Sequence, residues 1–255
     1  MKDLTVDILE NKKVSSAFSL LKFKYPEKIL PGQFFNIRIK DGLDPYLRRP
    51  ISVHDLDSKT KTVSLLYKVV GHGTEVLSGK KKGSQLKVLG PLGNSFDAKG
   101  LTSKSKIAIV GGGVGIAPFL YLVKELKKKG IKIYAFLGFR NKKEIYIDPE
   151  LKKACQEVFI ATDDGSAGHC GAVTSCFAEE LNKIDLKRVF VCGPDPMLKI
   201  MHAICRKAEV PAEYSLESIM GCGIGACLCC VCDTIKGYKK VCSDGPIFKD
   251  EELKW

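Results

Sequence analysis

The sequence lacks a long hydrophobic segment and a secretory signal. Its longest apolar stretch, residues 106–121, is broken by glycines and a proline, and it falls short of the roughly 20 residues that span a bilayer. The segment Met1–Thr5 alternates polar and apolar residues and has neither the basic start nor the apolar block of a secretory signal. We therefore expect no transmembrane helix and a cytoplasmic protein.

Internal repeats, low-complexity segments and any evident catalytic constellation are also missing. No Ser-His-Asp set or pair of carboxylates points to acid–base chemistry, so no catalytic residue is predicted. The 255 residues carry a net charge of +12, but the lysines are spread along the chain and form no continuous basic stripe. This disfavours nucleic-acid binding and favours a solvated lysine-rich surface or an acidic protein partner.

Cysteine, by contrast, is abundant and unevenly distributed. Six of the 11 cysteines fall within 21 residues near the C-terminus. Disulfides rarely persist in a reducing compartment, where clustered cysteines more often bind metal or take part in redox chemistry. The cluster therefore predicts a metal or redox centre and not a disulfide framework.

The first hundred residues show the alternation of short, half-buried strands. Each run is bounded by Gly, Pro, Asp or Asn, which is typical of antiparallel β-structure. We interpret this part as an antiparallel β-barrel. The predicted strands are Thr5–Leu9, Ala17–Phe23, Gln33–Ile39, Thr62–Val70 and Gln85–Leu89.

From Lys106 onward, continuous apolar strands alternate with amphipathic helices. This alternation indicates a doubly wound parallel sheet covered by helices on both faces. After Ala212 the periodicity gives way to glycine and cysteine, so three domains are predicted, at residues 1–100, 101–211 and 212–255. The predicted strands are 107–110, 131–136, Glu157–Ala161 and Arg188–Val191, and the predicted helices are Ile116–Lys129, Val173–Asn182 and Pro196–Ala208.

The C-terminal cysteines have a specific spacing. Cys222, Cys227 and Cys230 form C-x4-C-x2-C in a glycine-rich loop, and Cys242 follows 12 positions after Cys230. Plant-type [2Fe–2S] clusters use this arrangement, with three thiolates from one loop and the fourth from a separate segment. Glycines suit such a loop because the backbone has to wrap closely around the cluster and point N–H groups at it.

Two features leave this assignment open at the level of sequence. Cys227 and Cys230 form a plain C-x2-C, and zinc readily accepts four thiolates, although its sites usually use two short pairs of cysteines. Cys229 and Cys232 adjoin Cys230 and could replace it as ligands. The spacing nevertheless favours the plant-type set.

An apolar strand also runs into a glycine turn and then into a helix. The turn holds Gly111, Gly112, Gly113 and Gly115, and Pro118 stands where the dinucleotide fingerprint has its third glycine. Such a turn lets the backbone approach a pyrophosphate at a helix N-terminus. It predicts a nucleotide site, although glycine turns also occur in α/β domains that bind no nucleotide.

A second segment places a thiol and small residues at the carboxyl end of a predicted strand. Cys192, Gly193 and Pro194 follow that strand, and ligands of open α/β sheets bind at this edge. The alternative for Cys192 is a buried side chain that only fills space.

Basic residues follow another strand of the predicted sheet. Arg140, Lys142 and Lys143 stand just after residue 138, and Arg or Lys commonly holds the 2′-phosphate of NADP. The choice between NAD and NADP therefore stays open.

In the predicted barrel, Arg49 stands three residues before Ser52, with Pro50 and Ile51 between them. A guanidinium can pair bidentately with a diphosphate, and a hydroxyl can bond a ring nitrogen or carbonyl. The segment 71–74, Gly-His-Gly-Thr, leads into a predicted short helix whose amides would face the same phosphates. An ordinary edge strand and surface loop would use the same residue types.

The order of these motifs resembles the ferredoxin–NADP reductase superfamily. Within it, the chain closely resembles the electron-transfer subunits of type B dihydroorotate dehydrogenase over essentially its whole length. The segments that carry the resemblance are Arg-Pro-Ile-Ser (49–52), Gly-x-Gly-Thr (71–74), Gly-Pro-Leu-Gly-Asn (90–94), the glycine turn ending in Pro118, Ala-Thr-Asp-Asp-Gly-Ser (161–166), Cys-Gly-Pro-x-Pro-Met (192–197), Cys-Gly-Ile-Gly-Ala-Cys (222–227) and Val-Cys-Ser-Asp-Gly-Pro-Ile-Phe (241–248).

The resemblance implies three cofactors: FAD in the barrel, NAD in the α/β domain and a [2Fe–2S] cluster in the C-terminal segment. The one departure is the span from the third to the fourth cysteine, which is a few residues shorter than in the family and shortens a hairpin. The implied FAD contacts are Arg49, Pro50, Ile51, Ser52, Leu66, Tyr67, Lys68, Gly73 and Thr74. The implied NAD contacts are Gly111, Gly112, Gly113, Gly115, Pro118, Cys192, Gly193 and Pro194. The implied cluster ligands are Cys222, Cys227, Cys230 and Cys242.

The resemblance also implies a partner, an FMN-containing dihydroorotate dehydrogenase catalytic subunit, with two copies of each subunit in a heterotetramer. Electrons from dihydroorotate would pass through the cluster and FAD to NAD, in pyrimidine biosynthesis. A flavin suits the middle position because it exchanges both hydride and single electrons. One alternative is a subunit of an NADH-dependent ferredoxin or sulfide oxidoreductase, whose family places a carboxylate at the position of Cys222. Another is a zinc-stabilised nucleotide-binding module.

Overall fold

The computed structural model describes residues 1–255 and begins with a closed barrel. Its strands are β1 (Lys2–Lys13), β2 (Phe18–Lys24), β3 (Phe34–Arg38), β4 (Arg49–Asp57), β5 (Thr62–Lys68) and β6 (Gln85–Leu92). They close in the order β1-β2-β5-β4-β3-β6, and every neighbouring pair is antiparallel. Helix α1 (His72–Gly79) connects β5 to β6. The predicted barrel and the predicted short helix are thus confirmed.

The rest of the chain forms a seven-stranded sheet flanked by helices. The elements are β7 (Lys106–Gly112), α2 (Phe119–Lys128), β8 (Lys132–Phe139), α3 (Pro149–Ala154), β9 (Glu157–Thr162), β10 (His169–Cys170), α4 (Val173–Leu181), β11 (Arg188–Cys192), α5 (Asp195–Lys207), β12 (Ala212–Ser215), β13 (Val231–Thr234), β14 (Gly237–Lys240) and β15 (Ile247–Lys249). The sheet order is β10-β9-β8-β7-β11-β12-β15, and β13 and β14 form a separate hairpin. All sheet pairs are parallel except β12 with β15.

The predicted helices are confirmed within a few residues. The first begins later than expected, because residues 113–116 form a 3₁₀ turn before α2. The short helix α3 and the two-residue strand β10 were not predicted, since neither is long enough to show a period. None of the helices is long and apolar enough to span a membrane.

Regular structure does not stop at Ala212, where the sequence pattern loses its period. Strand β12 begins there and pairs with β11, and β15 pairs with β12 in turn. All four residues of β12 are buried, so the strand shows no alternation of apolar and polar residues from which it could be predicted. The domain limits remain predictions, but the pairing places the start of the cysteine segment after β12.

The barrel packs against the sheet through buried polar contacts as well as apolar ones. His54, on β4, donates from Nδ1 to the carbonyl of Ala117 at 2.8 Å. Burial lowers the pKa of His54, and the hydrogen bond to Ala117 opposes this shift. The Tyr121 hydroxyl on α2 donates to the carbonyl of Ile29 at 2.9 Å. These bonds fix the barrel relative to the start of α2.

The cysteine segment returns to the barrel at Asn94. The Asn94 side chain donates to the carbonyl of Ile247 at 2.8 Å and accepts from the Ile247 amide at 2.9 Å. The Asn94 amide donates to the carbonyl of Gly245 at 2.7 Å. Barrel, sheet and cysteine segment therefore meet at the turn of residues 90–94.

A buried carboxyl group joins the interdomain linker to the sheet. Glu213, on β12, is 3% exposed; it accepts from the Asp97 amide at 2.9 Å and lies 3.3 Å from the Arg188 guanidinium. Burial raises the pKa of Glu213 from 4.5 to about 7, although the hydrogen bond from the Asp97 amide and the charge of Arg188 act in the opposite direction. The protonated acid is therefore the form that folding favours.

This predicts a pH-dependent stability. A folded pKa of about 7 above an unfolded value of 4.5 gives a contribution that is complete below pH 4.5 and is lost as the pH rises through 7. Relative to a Glu213→Gln variant, the parent should lose on the order of 3 kcal/mol across that window. Thermal unfolding of both proteins at several pH values measures the difference. A constant difference would contradict the prediction.

Candidate functional site

A cavity of about 260 Å³ lies between the barrel and the sheet. Its barrel wall includes residues 49–52 of β4, residues 66–68 of β5, and Thr74, beside Phe34 and Val70. Apart from the last two, these are eight of the nine residues predicted to contact FAD, so the fold brings two separate strands together as expected. We call this space the flavin cavity. Beyond Arg49 it opens into a groove of about 1130 Å³, so that an extended dinucleotide fits.

The ninth predicted residue, Gly73, explains how Arg49 is held. A Cβ on Gly73 would lie 2.3 Å from Nε of Arg49, so only glycine lets the guanidinium rest on the first turn of α1. Gly71, the residue before this helix, has no side chain that could cap the first helical amides. The Thr74 hydroxyl accepts from the Val70 amide at 3.0 Å, which fixes the turn. A guanidinium beside uncapped helix amides is a fitting site for a pyrophosphate.

Arg48, next to Arg49, has a different role. Its guanidinium makes two hydrogen bonds to the Asp3 carboxylate, at 2.6 and 3.0 Å. Its charge is thus already paired within the barrel. Of the two neighbouring arginines, Arg49 is the one whose charge no carboxylate pairs.

The opposite wall of the flavin cavity was not predicted from the sequence. It combines the turn before α2, whose motif predicted a nucleotide site, with the segment after β12, which has no recognisable ligand motif. Its residues are Val114, Ala117, Ser215, Leu216, Glu217, Ser218 and Met220, and Pro246 adjoins them.

A second cavity, of about 400 Å³, lies over the carboxyl ends of the parallel strands. We call it the nucleotide cavity. Of the predicted NAD residues, Gly112, Gly113, Gly193 and Pro194 line it. Backbone of this kind, at the carboxyl edge of an open sheet, suits a dinucleotide phosphate.

The other predicted NAD residues, Gly111, Gly115, Pro118 and Cys192, do not contribute to the lining of this cavity. A Cβ on Gly115 would lie 2.3 Å from the carbonyl oxygen of Cys192, so this glycine lets the turn pack against β11. Cys192 is buried, and burial raises its thiol pKa. The space-filling interpretation of Cys192 is therefore the better one.

The basic residues considered for NADP are not gathered in this cavity. Arg140 lines it, together with the carboxylates of Glu144 and Asp163. Lys142 and Lys143 are exposed outside it. Only one of the three cations thus faces the cavity, and two carboxylates accompany it.

The predicted cluster cysteines surround a loop of backbone amides. Cys222 Sγ accepts from the amides of Ile224, Ala226 and Cys227 at 3.3–3.4 Å. Cys242 Sγ accepts from the Gly225 amide at 3.1 Å. Burial acts to raise the pKa of Cys222, but these amide bonds outweigh it and lower the pKa to about 6. The loop is built to stabilise negatively charged sulfur.

The four cysteines form two pairs: the Cys222 amide donates to Sγ of Cys227 and the Cys242 amide donates to Sγ of Cys230, each at 3.4 Å. No group of three or more such side chains is arranged to hold a single metal ion. A structural zinc ion needs four ligands around one point, whereas two pairs suit a cluster of two irons. The geometry of the loop fits the iron–sulfur group better than zinc.

The two additional cysteines of the segment, Cys229 and Cys232, are not bonded to the loop amides in the way that Cys222 and Cys242 are. Cys229 is exposed, and its thiol is directed to the carbonyl of Ile219 at 3.4 Å. Cys232 lies on β13, half-buried, and burial raises its pKa. Neither receives a backbone amide of the loop.

Comparison with family models supports both nucleotide and cluster chemistry. Residues 217–254 match the iron–sulfur cluster binding domain of dihydroorotate dehydrogenase B. Residues 109–203 match an oxidoreductase NAD-binding domain. The predicted iron–sulfur and NAD-binding parts are thus confirmed.

A solved structure gives the fold over the whole chain. It belongs to a study of flavin-based electron bifurcation by an NADH-dependent reduced ferredoxin–NADP oxidoreductase; the TM-score is 0.87 at 31% identity, covering 98% of this chain and 90% of that one. A ferredoxin–NADP⁺ reductase from Neisseria gonorrhoeae with bound FAD and NADP shares the fold, with a TM-score of 0.64 at 15% identity, covering 81% of this chain and 92% of that one. The predicted ferredoxin-reductase-like fold is confirmed.

Curated relatives match over nearly the full length. The dihydroorotate dehydrogenase B (NAD⁺) electron transfer subunit of Clostridium acetobutylicum is 41% identical over 246 residues, covering 96% of this chain and 95% of the relative. The subunit of the same name from Fusobacterium nucleatum is 39% identical over 261 residues, covering 100% and 98%. These matches confirm the resemblance seen in the motifs: the chain belongs to the family of electron-transfer subunits of NAD-linked dihydroorotate dehydrogenase B.

Proposed function

We propose that this chain carries electrons from an FMN-containing catalytic subunit through a [2Fe–2S] cluster and FAD to NAD. The observation that supports this most is the continuity of the three sites. The flavin and nucleotide cavities share residues, and residues 215–220 run from the flavin cavity directly into the cysteine loop. Each cofactor would therefore lie next to the one with which it exchanges electrons.

The flavin supplies the conversion between hydride transfer and single-electron transfer. The protein's own residues bind and orient it. We propose that Arg49 and the first amides of α1 hold the pyrophosphate. Ser52, Leu66 and Tyr67 would contact the ring system inside the flavin cavity.

For the cluster we propose Cys222, Cys227, Cys230 and Cys242 as ligands, one pair on each iron. The amides that point at Cys222 and Cys242 would keep the thiolates charged and fix the loop around the cluster. For the nucleotide we propose Gly112, Gly113, Gly193 and Pro194 as contacts. The loss of Cys192 or Gly115 would then act through packing.

We propose that the catalytic partner docks over the cysteine loop, in a cytoplasmic assembly of two copies of each subunit. Three apolar side chains near the loop are exposed: Ile219 by 78%, Ile224 by 48% and Leu228 by 62%. An apolar patch beside a redox centre suits a protein partner. Electron transfer also requires the partner's cofactor to approach the cluster.

A second candidate is a subunit of an NADH-dependent ferredoxin–NADP oxidoreductase. The likeness at 31% identity and a TM-score of 0.87 favours it. The two functions use the same cofactors here and differ in the partner, so an assay with each partner separates them.

The first prediction concerns Arg49. An Arg49→Ala variant should bind FAD roughly 10- to 100-fold more weakly, since a charge-assisted bond to phosphate is lost. Equilibrium dialysis with flavin fluorescence measures this. Arg48→Ala is the matched control, because that charge is paired with Asp3, and equal weakening in both variants would refute the assignment.

The second prediction concerns the cluster. The protein should contain about two irons and two acid-labile sulfides per chain. Replacing any one of Cys222, Cys227, Cys230 and Cys242 by serine should deplete the iron and the sulfide, because oxygen is a poor ligand for the cluster. Cys229→Ser and Cys232→Ser should keep the iron. Loss of iron in Cys232→Ser with retention in Cys242→Ser would reverse the ligand assignment.

The third prediction concerns the partner. The isolated chain should oxidise NADH with artificial acceptors but should not turn over dihydroorotate, and it should gain that activity with the FMN subunit.

A Leu228→Asn variant should weaken the complex by roughly 10-fold. Asparagine suits this position, where φ is +57°, because its short polar side chain tolerates the left-handed region. Leu30→Asn, which changes a 40%-exposed leucine between β2 and β3, should leave binding unchanged. Dihydroorotate turnover by the chain alone would contradict the proposal.

A further inference from the structure

Strand β3 of the barrel lies between the flavin cavity and the cysteine loop. Phe35 and Ile37 pack in the barrel core. Because successive side chains of a strand point to opposite faces, Phe34 and Asn36 share the outer face. Phe34 lines the flavin cavity and belongs to the same apolar core as Cys230. The outer face of β3 therefore reaches both the flavin cavity and the cysteine loop.

The Asn36 side chain contacts the cysteine loop at the first predicted ligand. It is fully buried, and its Nδ2 donates to the carbonyl of Cys222 at 3.5 Å. A Cβ on Gly223 would lie 2.6 Å from the same nitrogen. Gly223 also has a φ of +75°, which glycine adopts without strain. The backbone of the loop thus rests directly on this side-chain amide.

A buried amide at this position does not favour the stability of the barrel. The Asn36 Oδ1 has no hydrogen-bond partner, and burying an unpaired polar atom destabilises a fold. An apolar side chain would avoid that cost. The backbone of Asn36 is meanwhile held from both sides, by Pro50 on β4 and Leu89 on β6. A rigidly held donor that lowers the stability of the barrel suits a functional role.

The contact fixes the direction of one peptide unit. The peptide bond between Cys222 and Gly223 is trans, so its N–H points opposite to its carbonyl. Because the carbonyl faces Asn36, the Gly223 amide faces away from the barrel. The amides of Ile224 and Ala226 donate to Cys222 Sγ, but the Gly223 amide makes no hydrogen bond, although the residue is buried. A buried amide without a partner is rare, which points to a ligand as its acceptor.

We propose that Asn36 is a positioning residue for the cluster: it holds the Cys222 carbonyl and thereby directs the Gly223 amide at the iron–sulfur group. The inference rests on the proposed function, in which this loop holds a [2Fe–2S] cluster. Hydrogen bonds to the sulfurs help to set the potential of such a cluster. Reduction adds one negative charge, which an N–H donor stabilises, so Asn36 raises the potential of the cluster.

A redox titration of the chain loaded with FAD and cluster, monitored by EPR with dithionite as the reductant, tests this inference. Leucine has the branched shape of asparagine but donates no hydrogen bond. The equilibrium constant for one-electron reduction of the cluster should therefore fall roughly tenfold in Asn36→Leu, which is about 59 mV. The potential of the flavin should not change, because Asn36 does not line the flavin cavity. Iron and labile sulfide should stay at the parent's values.

Two further variants control for structure. Asn36→Ala removes the same donor with a smaller side chain and should shift the potential in the same direction, so it replaces Asn36→Leu if leucine prevents folding. Tyr121→Phe is the matched control. It also removes a buried donor to a backbone carbonyl of the barrel part, that of Ile29 at 2.9 Å, but this contact lies outside the cysteine loop. It should lower the unfolding temperature and leave the cluster potential unchanged.

The outcomes separate this inference from the function on which it rests. If the parent contains iron and labile sulfide and both Asn36 variants are reduced at the parent's potential, Asn36 only fills space and the inference alone is wrong. An equal shift in Tyr121→Phe would also overturn it, since the potential would then follow a general loosening of the fold. If the parent binds no cluster, the proposed function fails together with the inference.

Discussion

A buried hydrogen bond from His54 to the carbonyl of Ala117 sets the position of the barrel against the sheet, and both nucleotide sites depend on it. His54 lies on β4, which also carries residues 49–52 of the flavin cavity. Ala117 lies in the glycine turn that forms part of the opposite wall. The contact therefore ties the barrel wall to this turn, and because Nδ1 is the donor, protonation at Nε2 would not break it.

The sequence predicted the parts of the fold that are local. The barrel strands alternate, the buried strands are continuously apolar, and the cysteine spacing identifies the cluster loop without any tertiary information. The second wall of the flavin cavity was not predictable in this way. Ser215, Glu217 and Met220 come from a segment more than 140 residues away from β5, and only the pairing of β12 with β11 brings it there. Glu217 carries no motif and is recognised only as a carboxyl group that lines both cavities.

The nucleotide motif proved to describe packing as much as contact. Half of its predicted residues line the cavity and the others do not. Gly115 is close to the carbonyl of Cys192, so the fingerprint has glycine there to let a turn approach a strand. A glycine that lets the backbone contact a ligand and a glycine that lets a turn pack on a strand look the same in a sequence, because both positions require the absence of a side chain. The distinction becomes visible only when the neighbouring strand is in place.

The cysteine segment leaves the sheet after β12 and returns to it as β15, which pairs with β12 itself. It is therefore a long loop closed by two hydrogen-bonded neighbours, and the Asn94 side chain ties its end to the barrel. Both ends of the segment are thus anchored to the rest of the fold. Some redox proteins carry electrons by moving a mobile domain between donor and acceptor, a motion that takes microseconds to milliseconds. In this chain the tunnelling distance between cluster and flavin is set by the fold, so the electron need not wait for a domain movement.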